Sequence, residues 1–512
     1  MDIREGMTWP PQNILYSKIQ EHSAWYSGSA EIIANYYAMV VNQSFLETPM
    51  QLTKESFWGR QIKNQGEVFV HVPVANDISE TSANLLFSEM PNIRIGEIKE
   101  NKEDQKTLDK MLTENGFFRK LLEAAEVASA IGGVFIKIAW DKELSEYPIP
   151  VIWQADQAIP TFKFGMLDSV IFWENVKVEK EKYWRVLEEY SKGMINYKLY
   201  KGTADRLGFE VKLDEIEETK GIVPNVATPD ILAAVYVPNI LPNKLNRSSY
   251  IGRSDYMGIE GLMDALDEVF SLWSREITLA QAKILLPESY LRTIKGDAKF
   301  NPDTMIYVGL DVDPTSDNKT ITPQQFSIRA DQYEKTALNY LERIVTSAGY
   351  SPQSFGLSIQ GRAESGLALQ LRERKSFATK AKKEIYWDSA IKHIIKCMMV
   401  IYKSELNGSI NPDLDVNVSF NDGIMNNMKE TADAVNVIST AIAASVETKV
   451  RMLHPDWNEE EIQTEVELVK NENNVGITLT NPDVNSFQQN PKDPNSQKDT
   501  VTADESDPTK VE

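Results

Sequence analysis

Tyr350-Ser351-Pro352-Gln353-Ser354-Phe355-Gly356-Leu357-Ser358 decides how this chain is read, because of what stands on either side of it. Pro352 and Gly356 mark the stretch as a loop. After it, from about 362 to 406, Leu371, Ala378, Ile385, Ile391, Ile394, Met398 and Ile401 recur at helical spacing. At 1.5 Å per residue, an unbroken helix there spans roughly 65 Å. Ordinary globular helices are shorter, so this one either kinks or stands against neighbouring chains.

Before the loop the same period returns twice. Residues 329–348 read as a helix ended by Gly349, and residues 257–282 as another. In the earlier helix Leu262, Leu266, Val269, Leu272, Trp273 and Ile277 make one apolar stripe, with Asp264, Asp267 and Glu268 placed away from it. The two helices bracket an insert, 283–328, of short strands and polar turns.

Further upstream, residues 13–48 are helical in pattern with a break at Gly28, 69–73 read as a strand, and 78–90 as a helix stopped by Pro91. Two helices within 101–131 meet at Asn115-Gly116 and end at Gly132-Gly133. The period then shifts towards two. Stretches 134–140, 149–153, 170–178, 183–190, 195–200 and 231–237 are strands rich in Val, Ile, Tyr and Trp. Residues 1–249 form one α+β domain on this reading. Downstream, 416–420 is a short strand, 425–445 and 457–471 are helices, and 476–512 is a polar tail expected to be disordered.

Bulk composition sets limits. The 512 residues are 42% hydrophobic and 25% charged, the balance of a folded protein with a sizeable core. The net charge of -21 argues against broad phosphate binding, which needs Lys and Arg to displace counterions. The single cysteine, Cys397, excludes an intrachain disulfide and lies in an apolar run as a small hydrophobe. Met1-Asp2-Ile3-Arg4-Glu5 lacks signal-peptide order and no apolar run is long enough for a bilayer, so the chain reads as soluble.

Motifs of chemistry are missing. Gly361-Arg362-Ala363-Glu364-Ser365-Gly366 has the spacing of a phosphate loop, but Leu367-Ala368 stands where Lys-Ser/Thr is required. His22, His71, His393 and His454 have no second ligand at metal spacing. Asp311, Asp313 and Asp317 lack the Gly and Glu of a calcium loop. No catalytic residue, metal or cofactor is expected. One basic cluster stands out: Arg362, Arg372, Arg374, Lys375, Lys380, Lys382 and Lys383. It reads as a salt-bridged helix face, an intersubunit surface or a contact for a nucleic-acid backbone.

Residues 250–405 resemble the tailed-phage portal family, in the branch found in phages of Gram-positive hosts. Gly252-Arg253-Ser254-Asp255-Tyr256, Ser351-Pro352-Gln353-Ser354-Phe355-Gly356, Gly361 to Gly366 and Leu371-Arg372-Glu373-Arg374-Lys375 carry the resemblance. It implies a largely helical α+β subunit: wing 1–249, first stem helix 250–282, clip 283–328, second stem helix 329–349, tunnel loop 350–361, long wing-crossing helix 362–410 and crown 411–475. It also implies a ring of about a dozen subunits at one capsid vertex, in the virion, assembled in the host bacterial cytoplasm. Double-stranded DNA passes through its channel without sequence specificity. The large terminase ATPase and then head-completion or adaptor proteins dock on it, and scaffolding and major capsid proteins surround it. Within that plan Gln353, Ser354, Phe355, Gly356, Leu357 and Ser358 are the tunnel-loop residues facing DNA, although Phe355 and Leu357 also suit packing. Asp264, Asp267 and Glu268 are the stem lumen, where acid lowers friction with the polymer. The alternatives are a metal-dependent nuclease, a packaging ATPase, or another head–tail connector component.

Overall fold

The computed structural model describes residues 3–11, 14–43, 56–60, 69–96, 100–280, 283–287, 307–310, 322–324, 327–357, 366–420, 428–441, 443–454, 457 and 459–475. The chain divides into two compact units, Met1–Ile424 and Met425–Glu512. Most of the insert 283–328, residues 358–365 with Ser358 and Arg362, and residues 476–512 lie outside the described residues.

Unit 1 begins with α1 (Ile14–Tyr26), α2 (Ala30–Gln43), a single turn α3 (Phe57–Arg60) and α4 (Val74–Phe87). After β1 (Asn92–Ile95) come α5 (Lys102–Glu114) and α6 (Phe117–Ile131), parted at Asn115-Gly116 as the sequence leads one to expect. Residues 69–73 are not a strand. The amides of Val70 and Val72 donate to side chains of a later helix instead of a sheet neighbour.

The strands follow. β2 (Gly133–Ala139), β3 (Ile149–Gln154) and β10 (Ala234–Pro238) form an antiparallel sheet in the order β10-β2-β3. β4 (Ala158–Lys163), β5 (Met166–Glu179), β6 (Lys182–Ser191), β7 (Met194–Gly202) and β8 (Phe209–Val211) form a second sheet, with β9 (Asn225–Ala227) added to β7. Lys137 locks the two sheets together: its ammonium meets Glu188 at 2.6 Å and lies 3.8 Å from the Trp153 ring centre.

Then come α7 (Glu260–Leu279), the three-stranded insert of β11 (Lys283–Pro287), β12 (Tyr307–Leu310) and β13 (Thr322–Gln324), and α8 (Ala330–Ala348). α9 (Gly366–Glu405) runs for 40 residues. No proline, and no glycine after the first residue, interrupts it, so it extends about 60 Å. Its second half buries Trp387 beside Phe87 of α4, and Ile391, Ile394, Ile395, Met398 and Met399 in the core it forms with β2, β10 and β14, each side chain worth about 1.5–3 kcal/mol. Its first half departs from expectation: Ile385 is 69% exposed.

β14 (Val416–Ser419) pairs antiparallel with β1, so this part of the expected crown belongs to unit 1. Unit 2 holds α10 (Met428–Thr440), α11 (Val446–Leu453) and α12 (Glu459–Val475), with Val450 of α11 packed on Ile462 and Val466 of α12. The expected helix 425–445 stops at Thr440, and Ser445 caps a separate helix by accepting from Thr448 N.

Candidate functional site

Two polar networks in unit 1 hold the expected site residues: one on α7, the other joining the turn after α8 to α9. On α7 the polar residues Glu260, Asp264, Asp267 and Ser271 recur at helical spacing and share a face. That face is turned inward. Asp264 accepts from the backbone amides of Phe57 (2.7 Å) and Trp58 (3.1 Å). Asp267 accepts from Trp58 Nε1 (3.0 Å) and Val72 N (2.9 Å), and meets His71 Nδ1 at 2.8 Å. Glu260 lies 3.0 Å from His22 Nε2 and 3.3 Å from Lys18 Nζ. Ser271 Oγ accepts from Val70 N.

The electrostatics differ along the row. Burial pushes the Asp264 carboxyl up to about 6, against the pull of its two amide donors and with some help from the Asp267 and Glu268 charges. Burial also works against Glu260, but His22 and Lys18 outweigh it and hold the group at about 2.

The turn after α8 is tied to α9 residue by residue. Gly349 ends α8 with φ +108, a left-handed conformation, and its carbonyl accepts from Thr379 Oγ1 at 2.6 Å. Lys375 Nζ donates to Thr346 O, and Ser351 Oγ to Arg372 O. Ser351 N donates to Ser376 Oγ at 2.8 Å, and Ser354 and Ser376 hydroxyls meet at 2.9 Å. Positions 372, 375, 376, 379 and 383 lie on one face of α9, which therefore acts as a polar rail for the turn.

At the end of that rail sits a buried ion pair. Lys383 Nζ lies 2.6 Å from Asp255 Oδ2 and donates to Ser82 Oγ (2.6 Å) and Tyr350 OH (2.9 Å). Asp255 accepts further bonds from Ser129, Tyr350 and Asn239. Burial alone would raise Asp255, but the Lys383 charge and these donors hold it below its ordinary value. Removing one partner from such a pair costs about 3–5 kcal/mol. Gly252 lets the Asp255 loop approach α6: a Cβ on Gly252 would run into Gly132 O, and one on Gly132 would stand 2.9 Å from Gly252 O.

The expected site residues are thus sorted. Gln353, Ser354 and Phe355 form a 3-10 turn and are half-buried, Leu357 packs beside them, and Gly356 is exposed with φ +69. Phe355 and Leu357 lie against the core. Asp264 and Asp267 are 8% and 0% exposed, so they do not line a lumen; backbone and indole donors from the N-terminal segments draw them inward. Glu268 is partly exposed and meets Arg60 at 3.0 Å. In the basic cluster Arg372, Arg374, Lys375 and Lys382 are exposed. Lys380 and Lys383 are buried and are not available to a nucleic-acid backbone, since Lys380 pairs with Glu384 and Lys383 with Asp255.

The sequence reading missed the Asp255, Tyr350 and Lys383 network, whose members lie 95 and 128 positions apart along the chain. It also missed a clamp at the insert end of the α7–α8 pair. There Arg329 meets Glu276 at 2.7 Å and Trp273 stacks on Tyr333 with ring centres 6.0 Å apart. Among the described residues no three His, Cys, Asp or Glu side chains are grouped to hold a metal ion, and no helix is long and apolar enough to cross a membrane. The network ties α4, α6, the loop before α7, the turn after α8 and α9 together.

Comparison with known proteins bears on the same chain. The family described as "Phage portal protein, SPP1 Gp6-like" matches residues 12–474. No curated protein matches the sequence. Solved structures similar to it include a chain of the virion of a native gene transfer agent (GTA) particle, with 10% identity, TM-score 0.39, and coverage of 75% of this chain and 90% of that one. A chain from the neck of an empty GTA particle computed with C6 symmetry shows 11% identity, TM-score 0.43 and the same coverage, 75% and 90%. A chain from the neck of a native GTA particle computed with C12 symmetry shows 11% identity, TM-score 0.37, and coverage of 80% and 94%.

Proposed function

The chain belongs to the SPP1 Gp6-like family of phage portal proteins, and we propose how its parts divide the work of a portal, a channel at one vertex of the capsid. The observation that carries the reading is the extent of the family match, residues 12–474, which takes in both units. About twelve copies close into a ring, through which double-stranded DNA is packaged and later ejected. Residues 1–249 are the wing, α7 and α8 the stem helices, and 283–328 the clip. Residues 350–361 are the tunnel loop, 362–410 the long wing-crossing helix, and 411–475 the crown region.

The large terminase docks on the clip during filling, and a head-completion or adaptor protein replaces it. Scaffolding and major capsid proteins contact the ring as it assembles in the host cytoplasm. The protein is a conduit and not an enzyme: the segment with phosphate-loop spacing lacks its lysine. The turn from Gln353 to Leu357 supports the tunnel-loop role, because the rail on α9 braces it while Gly356 stays exposed. Of the three acids first placed in the lumen, only Glu268 remains a candidate.

Negative-stain microscopy of the purified full chain tests the reading. Discrete rings with a central hole are expected. A persistent monomer with nuclease or ATPase activity overturns it.

A further inference from the structure

Two rows of side chains in unit 1 are exposed and complementary, and they point opposite ways. On α4, Asp77 and Glu80 are exposed, three residues apart, and form no ion pair among the described residues. They rim a groove of about 440 Å³ whose apolar lining includes Val72, Leu341, Val345, Phe355 and Leu357. Burial, and after it the neighbouring Glu80, push the Asp77 carboxyl above its ordinary value. On α9, Arg374, Ala378, Ala381, Lys382 and Ile385 are exposed along one stripe, with Ile385 at 69%. Arg374 and Lys382 make no ion pair among the described residues.

The directions follow from helix geometry. α4 and α9 face each other where Lys383 reaches Ser82 at 2.6 Å. At about 100° per residue, Glu80 lies about 200° round α4 from Ser82, and Ile385 about 200° round α9 from Lys383. The acidic groove and the basic, apolar stripe therefore lie on opposite sides of the α4–α9 pair. A subunit with complementary surfaces on opposite sides joins head to tail, and such contacts close into rings.

We propose that the outer stripe of α9 on one subunit docks into the α4–α8 groove of the next copy, with Ile385 on the apolar floor and Lys382 against Asp77 and Glu80. Ala378 and Ala381, having small side chains, let the helix approach closely. The occupant is a second copy of this chain, chosen by charge: an acidic rim takes a basic row. The inference rests on the ring reading above and adds which surfaces close the ring.

A disulfide test separates the two. A Glu80→Cys/Lys382→Cys double variant of the full chain is assembled, oxidised and run on a non-reducing gel, with each single variant as control. A ladder of covalent multimers in the double variant alone supports the interface. Within one chain Lys382 lies about 100° round α9 from Lys383 and Glu80 about 200° round α4 from Ser82, so the two side chains do not point at each other, and Cys397 is buried; the single variants control for any remaining background. Glu80→Lys should lower the ring fraction about tenfold, and Lys382→Glu in the same chain should restore it. If the double variant forms rings without a ladder, and charge reversal leaves rings unchanged, this interface is wrong while the ring reading stands. If the unaltered chain forms no rings, both fall.

Discussion

Asp264 and Glu260 stand one turn apart on α7, and their surroundings drive them in opposite directions. Asp264, at about 6 in the folded chain against an ordinary 3.8, holds its proton better folded than unfolded. Its contribution to stability therefore declines as pH rises from about 4 through 6, by about 3 kcal/mol when the group is fully ionised. Glu260, at about 2 against 4.5, does the reverse: it stabilises above about pH 4.5 and loses that contribution as pH falls towards 2. An Asp264→Asn variant should flatten the decline between pH 4 and 6 in chemical unfolding of the subunit. Wild-type and variant curves that stay parallel across that range would refute the assignment. Such residues were visible in the sequence as acids on a helix, but their inward direction was not. Amides and an indole from residues 57, 58 and 72 supply the partners, and spacing on α7 says nothing of what packs against it. Lys383 was legible only as one member of a basic run, because its counter-ion Asp255 comes from a loop before α7.

Helix ends were read well where glycine or proline writes them. Gly132 and Gly349 both adopt left-handed conformations at the ends of α6 and α8. Short edge strands were not: β8 and β9 have three residues each, and β4 contains Pro160, so alternation is too brief to register. The β1–β14 pair joins segments more than three hundred positions apart, and neither shows its partner locally. The junction of α8 and α9 gives a sharper test at this scale. A Cβ on Gly349 would sit 3.0 Å from Thr379 Oγ1, the hydroxyl that caps the same residue's carbonyl, whereas one on Gly356 meets nothing within 4 Å. Both glycines have positive φ, so alanine at either costs about 1–2 kcal/mol in backbone strain. Gly349→Ala should cost more than Gly356→Ala in thermal unfolding, since it also displaces Thr379 from the rail. Equal losses would show that the rail does not hold the turn.

At the scale of the whole molecule, the order helix, insert, helix, loop, long helix was legible, because each break carries its own punctuation. The split into two units at residue 424 was not, since the strand placed in the crown pairs back across the chain. Charge was legible as a sum, -21, but its distribution was not. Lys137, Lys383 and Arg185 are buried: Glu188 and Asp255 neutralise the two lysines, while backbone carbonyls of residues 203, 204 and 206 hold the arginine. The exposed cationic surface is therefore poorer than 54 Lys and Arg suggest. Each phosphate that a channel neutralises steepens the dependence of binding on salt and adds drag to a moving polymer. Assembled rings should therefore bind linear duplex DNA weakly, with affinity falling less than about tenfold between 50 and 200 mM salt in a filter-binding titration. A fall of about a thousandfold or more over that range would mean that six or more phosphates are gripped. The exposed Arg372, Arg374, Lys375 and Lys382 would then be facing the polymer and not a neighbouring subunit.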